Sequence, residues 1–180
     1  MAAVSVLNFL VVSVTGGNQP GLVDACAELI RESGCNIVDS RMTVLGSEAA
    51  MMFLVSGTWN AIVKLEDTLP RLEKRHKVHV YCKRTTPRAA ATNLMPYAVE
   101  VVASDRPGIV ADIAHFFTTR DISVEEMHSS TYPAAHTGTP MFSLHLTISV
   151  PTDTSIAALR GDFLEFCDQL NLDAIMEPVK

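Results

Sequence analysis

Two short segments carry the residues best placed to do chemistry. Asn18-Gln19-Pro20-Gly21 precedes Leu22-Val23-Asp24-Ala25-Cys26-Ala27, and Asp105-Arg106-Pro107-Gly108 precedes Ile109-Val110-Ala111-Asp112-Ile113-Ala114. Each reads as a tight loop running into a helix. A helix's first turn presents N–H groups that lack intrahelical partners, at the positive end of the helix dipole, which together suit a carboxylate or phosphate. Glycine at each start permits close approach of a ligand. The same residues also have a structural use, because Asn18 and Asp105 are good helix caps and Pro-Gly is ordinary helix-start chemistry, with Pro20 at the first helical position. Spacing leaves both readings open.

Other reactive side chains are more scattered. Asp39 and Glu126 fall at matching positions on the open side of a strand, but no nucleophile, base and orienting group share a motif, so solvated or interface carboxylates are expected rather than a general acid. A hairpin centred near His136 and Thr137 sets His128 roughly opposite His145 on a polar face. With Glu126 nearby the pair could hold a metal, while cross-strand polar neighbours are the simpler account; no metal and no cofactor is assigned. Cys26, Cys35, Cys82 and Cys167 form no C-x-x-C pair and read as reduced thiols packed as small apolar groups. The chain is expected not to be an enzyme.

The two loops belong to an internal repeat. Gly34-Cys35-Asn36-Ile37-Val38-Asp39 aligns with Asp121-Ile122-Ser123-Val124-Glu125-Glu126 at the same offset as the loops, and Phe53-Leu54-Val55 aligns with Phe142-Ser143-Leu144 two residues further on. That places two extra residues in a hairpin of the second copy. A repeat of this length means two small globular domains rather than a solenoid. The expected division is a first domain over 1–83, a linker over 84–95 and a second domain over 96–180.

In the first copy, Asn8 to Val14 reads as a strand. A helix follows with Leu22, Cys26, Leu29, Ile30 and Ser33 on one face, stopped by Gly34. Asn36 to Leu45 and Ala49 to Ser56 form a hairpin about Gly46-Ser47. The next helix turns Ile62, Leu65, Leu69 and Leu72 inward, with Pro70 predicting a kink or short break. His76 to Cys82 closes the copy as a strand. The second copy repeats the order: strands at Tyr97–Ala103, Ser123–Tyr132, Pro140–Val150 and Leu172–Pro178, and helices at Pro107–Arg120 and Thr154–Leu170. The order strand–helix–strand–strand–helix–strand is ferredoxin-like, of α+β class, with a four-stranded antiparallel sheet carrying both helices on one face. Alternation sends Phe142, Leu144, Leu146 and Ile148 toward the helices and Ser143, His145, Thr147 and Ser149 away. In the first copy Met52 and Leu54 fall on the open face, which predicts that a neighbouring copy or chain covers them.

Composition narrows the function. With 48% hydrophobic and 19% charged residues, the 180-residue chain reads as folded and globular rather than disordered. A formal charge of −6 opposes a phosphate-binding surface and direct nucleic-acid binding. No apolar run reaches the ~20 residues of a membrane span, and Met1 to Val14 lacks the pattern of a signal peptide. A cytoplasmic protein without membrane association is expected.

Asp105-Arg106-Pro107-Gly108-Ile109-Val110 on this frame resembles the ACT domain, the small-molecule regulatory module of amino-acid metabolism. With Ala27-Glu28-Leu29-Ile30, Gly34-Cys35-Asn36-Ile37-Val38-Asp39-Ser40-Arg41 and Lys83-Arg84-Thr85, nearly the whole tandem resembles the glycine cleavage system transcriptional repressor family. The resemblance implies a regulator with neither an enzyme domain nor a DNA-binding domain. It implies repression through a LysR-type activator protein, relieved by a small amino acid, glycine foremost, and a possible homodimer. A stand-alone sensor that modulates a metabolic enzyme is the alternative. ACT modules commonly pair side by side, holding ligand between the loop and helix start of one module and the second strand of its neighbour. By that pattern the ligand-binding positions are Asn18, Gln19, Gly21, Asn36 and Ile37 in the first copy and Asp105, Arg106, Gly108, Ile122 and Ser123 in the second.

Overall fold

A computed structural model describes residues 7–88 and 92–179. The chain divides into two compact units, residues 1–89 and 90–180. The first runs β1 (Asn8–Gly17), α1 (Leu22–Glu32), β2 (Asn36–Leu45), β3 (Glu48–Gly57), α2 (Trp59–His76) and β4 (His79–Thr85). The second runs β5 (Leu94–Ser104), α3 (Ile109–Thr118), β6 (Ser123–Pro133), β7 (Pro140–Pro151), α4 (Ile156–Gln169) and β8 (Asp173–Pro178). The sheets have the orders β2-β3-β1-β4 and β6-β7-β5-β8, and neighbouring strands are antiparallel. Both units are ferredoxin-like.

The alternating strands and the helical stripes meet as the hydrophobic pattern requires. In the first unit Leu10, Val12 and Val14 of β1 and Met51, Phe53 and Val55 of β3 pack with Cys26 and Ile30 of α1 and Ile62, Leu65 and Leu69 of α2. The core of the second unit is built around rings. Phe116, Phe117, Phe163 and Phe166 lie with centroids 5.0 to 5.3 Å apart, and Phe117 and Phe163 are fully buried.

Each helix ends on a left-handed residue. Gly34 (φ 80°) and Asp121 (φ 54°) follow α1 and α3, and Lys77 and Asn171 follow α2 and α4. The next N–H reaches back into the last turn in every case: Cys35 to Ile30 C=O (3.1 Å), Ile122 to Phe117 (3.1 Å), Val78 to Glu73 (3.3 Å) and Leu172 to Cys167 (2.9 Å). These are Schellman-type closures.

Several expectations are corrected. Pro70 does not break α2, which is one helix from Trp59 to His76. Pro20 and Pro107 lie in turns, and α1 and α3 begin at Leu22 and Ile109. Strand pairing shows six extra residues in the second hairpin, not two: Gly17 pairs with Glu48, whereas Ser104 pairs with Met141. Phe53 therefore corresponds to Leu146, the partner of Val99 as Phe53 is of Val12. The stretch read as a linker gives up both ends to strands, since β4 continues to Thr85 and β5 opens at Leu94; residues 89–91 of it lie outside the described residues. On the open face of the first sheet Met52 is 53% exposed, and Leu54 is half-buried like Ser143 of the second.

Arg84 has a structural task in this arrangement. Its guanidinium donates to both carboxylate oxygens of Glu66 on α2, at 2.9 and 2.7 Å, and lies 5.9 Å from the Trp59 ring centroid. These hydrogen bonds hold the Glu66 carboxyl below its ordinary range. Among the described residues no helix is long and apolar enough to cross a membrane.

Candidate functional site

Both loops have one construction. Gly21 (φ 85°) and Gly108 (φ 98°) are the N-cap residues, in the left-handed conformation, and neither helix start has a side-chain cap hydrogen bond. Asn18 and Asp105 therefore do not cap. Glycine is needed for its backbone dihedral: a Cβ on Gly21 would meet no atom within 4 Å. The first intrahelical bonds run from Ala25 N–H to Gly21 C=O and from Asp112 N–H to Gly108 C=O, each 2.9 Å. Ahead of them the Leu22 N–H turns back to Gln19 C=O at 3.4 Å, and the other first-turn N–H groups lack intrahelical partners.

A backbone hydrogen bond ties each loop to the neighbouring hairpin. Asn18 N–H donates to Ser47 C=O at 2.8 Å, and Asp105 N–H donates to Pro140 C=O at 2.9 Å. The side chains of Asn18 and Asp105 stay exposed beside the helix start. Gln19 is committed elsewhere, its amide donating to His76 C=O at the end of α2 at 2.8 Å. Arg106 pairs with Asp112 of the first turn of α3 at 3.1 Å. The second loop thus sets a cation against the first-turn acid of its helix, whereas the first loop has neutral Gln19 ahead of Asp24, the first-turn acid of α1.

The strand-start candidates lie elsewhere within each unit. Asn36 and Ile37 pair with Ser56 and Val55, at the far end of the sheet from Gly17 and Glu48. Ser123 pairs with Ser149, and Ile122 is buried at 5% exposure. Neither unit by itself brings its strand start to its loop. Immediately beyond these positions both strands bulge, at Ile37/Asp39 and at Val124/Glu126.

The remaining reactive groups are structural in their surroundings. Burial pushes the Cys26 thiol up to about 11 and Cys167 to about 12, so both stay protonated and poorly nucleophilic. His128 and His145 are direct cross-strand partners with stacked rings 6.5 Å apart, and Glu100 lies 3.7 Å from His145 Nδ1. Among the described residues no group of three or more His, Cys, Asp or Glu side chains converges on a metal position.

The fold agrees with what known proteins show. An ACT-domain family model matches residues 8–83. A curated relative, the glycine cleavage system transcriptional repressor of Escherichia coli (strain K12), is 30% identical over 91% of this chain and 86% of its own length. The chain belongs to the glycine cleavage system transcriptional repressor family. A crystal structure provisionally named for that repressor is 27% identical, covers 98% of this chain and 99% of its own, and superposes with a TM-score of 0.73. A protein of unknown function from Galdieria sulphuraria shares the fold across 97% of this chain and 100% of its own, with a TM-score of 0.79 at 22% identity. Family membership extends over both units, so the second loop belongs to the same kind of module as the first.

Proposed function

We propose that this chain is a non-enzymatic, amino-acid-responsive repressor that binds a small amino acid at its helix-start loops and acts by holding a partner protein. The observation that carries the reading is the twofold recurrence of an uncapped, glycine-initiated helix start in a chain of the repressor family. An amino acid offers a carboxylate to the first-turn N–H groups and an ammonium to the Asn18 amide oxygen or the Asp105 carboxylate. Asn18, Gln19, Gly21, Asp105, Arg106 and Gly108 form the loop side, and Asn36, Ile37, Ile122 and Ser123 would be contributed by a neighbouring module. Glycine is the ligand that fits the family, a LysR-type activator the partner, and the cytoplasm the compartment. Ligand favours one arrangement of the modules and the partner the other, which couples the two binding events without catalysis.

Calorimetry of the full chain against the twenty amino acids, repeated with Asp105→Ala, tests the reading. Because Asp105 is not a cap, the variant should keep its melting temperature while its affinity for the small amino acid falls. Unchanged affinity removes Asp105 from the site, and no heat with any amino acid overturns the ligand reading.

A further inference from the structure

We infer that the open face of the first sheet is a self-complementary docking surface for a second copy of this chain. The strand registers order the side chains on this face into rows. One row, from β2 to β4, is Asp39, Leu54, Val11, Lys83, and the next is Arg41, Met52, Ser13, Tyr81. All lie opposite the buried set of Leu10, Val12, Met51 and Phe53. Met52 is 53% and Tyr81 64% exposed. Each row thus has apolar or small residues at the centre and charged or aromatic groups at its ends.

A twofold axis parallel to the strands, passing between β1 and β3, lays β2 of one copy over β4 of the other and β3 over β1. Residues meet within their own row: Asp39 faces Lys83 of the second copy, Leu54 faces Val11, and Arg41 faces the Tyr81 ring. The pairings are an ion pair, an apolar contact and a cation–π contact, each made twice, as an isologous interface requires. Stacked sheets cross at about 30°, a rotation about the same centre that long side chains such as Lys83 and Arg41 can follow. Asp39 holds Arg41 at 2.6 Å, so the two charges sit side by side at the β2 end of the rows. The four-stranded span is set by the seven residues of β4; with strands about 4.8 Å apart and about 3.4 Å per residue it covers roughly 460 Å² per copy. A pair then buries roughly 900 Å², the size of a weak, transient interface, so the dimer forms only at high concentration.

The second sheet shows that this match is not a property of the fold. The equivalent rows are Glu126, Thr147, Ala98, Glu177 and His128, His145, Glu100, Ile175. The same axis there would set Glu126 against Glu177. Docking through the first sheet does not depend on the ligand reading.

The test is sedimentation of the full chain over a wide concentration range at low salt, with far-UV circular dichroism confirming the fold of each variant. A monomer–dimer equilibrium is expected. Lys83→Glu, which sets like charges against Asp39, should raise the dimer dissociation constant by at least about tenfold, and Met52→Glu should act in the same direction. The reciprocal pair Asp39→Lys with Lys83→Asp should recover dimer that each change alone loses. A chain that stays monomeric throughout overturns the inference. So does a dimer indifferent to Lys83→Glu and Met52→Glu, or a folded charge-exchanged variant that fails to recover.

Discussion

Across the middle of the first sheet the open face reads Arg41, Met52, Ser13, Tyr81; the same four positions of the second read His128, His145, Glu100, Ile175. The cores differ as well, aliphatic around a single Phe53 in the first unit and built on a cluster of four phenylalanines in the second. The backbone devices, by contrast, coincide: a left-handed glycine at each first-helix start, a loop N–H bonded to the hairpin, a bulge just inside the second strand, and a left-handed residue closing every helix. The two halves share what the chain path demands and differ in how their cores are filled and in the side chains on their open faces and loops.

The largest test of this contrast lies in the cores. Phe117→Ala should cost the second unit about 3–5 kcal/mol, read as a lower urea midpoint by circular dichroism. Trp59, the chain's single tryptophan, sits in the first unit, so its fluorescence midpoint should stay in place. If fluorescence and dichroism fall together, the two cores unfold as one and the comparison loses its thermodynamic meaning.

A smaller effect tests the common backbone. Gly21→Ala and Gly108→Ala should each cost about 1–2 kcal/mol, because both force a Cβ into the left-handed region. Equal losses on chemical denaturation would sharpen the view that the helix start is repeated, and a neutral substitution at one would break it. Asp121 offers the reverse experiment. It occupies at φ 54° the place that Gly34 fills at φ 80°, so Asp121→Gly should stabilise by up to about 1 kcal/mol, seen as a higher midpoint.

The smallest effect belongs to an ion pair in the first unit. Arg84 lowers the Glu66 pKa, so this pair's stabilisation is complete above the unfolded carboxylate pKa of about 4.3 and is lost as pH falls through the lower folded value. Glu66→Gln should therefore show a slightly reduced melting temperature at neutral pH and a shrinking deficit in acid. A deficit unchanged by acid would assign the effect to shape rather than charge.

Alternation and helical stripes carry the fold in the sequence, and one error shows why they are robust. Residue similarity matches Phe53 to Phe142, four residues from its true counterpart Leu146, but a shift by an even number leaves inward and outward sides unchanged in a strand. The facing is therefore right while the pairing is wrong. Helix starts are less legible: Pro-Gly fits proline as the first helical residue, and only the φ of Gly21 and Gly108 shows glycine as the cap. The loop residues stand out by repetition. The bonds that fix them, Asn18 to Ser47 and Gln19 to His76, join segments far apart in the chain and leave no local signature. Arg84 and Thr85 read as linker because their strand character comes from pairing with β1 and, for Arg84, from Glu66.

The bulges at Ile37/Asp39 and Val124/Glu126 bear on the chain's ancestry. A bulge inserts one unpaired residue, and gaining or losing it later would turn every side chain on one side of it to the opposite face. Two independent acquisitions at the same offset would each have had to survive that inversion. The economical history is a single ancestral module that already carried the bulge, followed by gene duplication and fusion. A single-module ancestor had one loop sequence in every copy; fusion released the two copies from that identity, allowing Asn18-Gln19 and Asp105-Arg106 to diverge within one polypeptide.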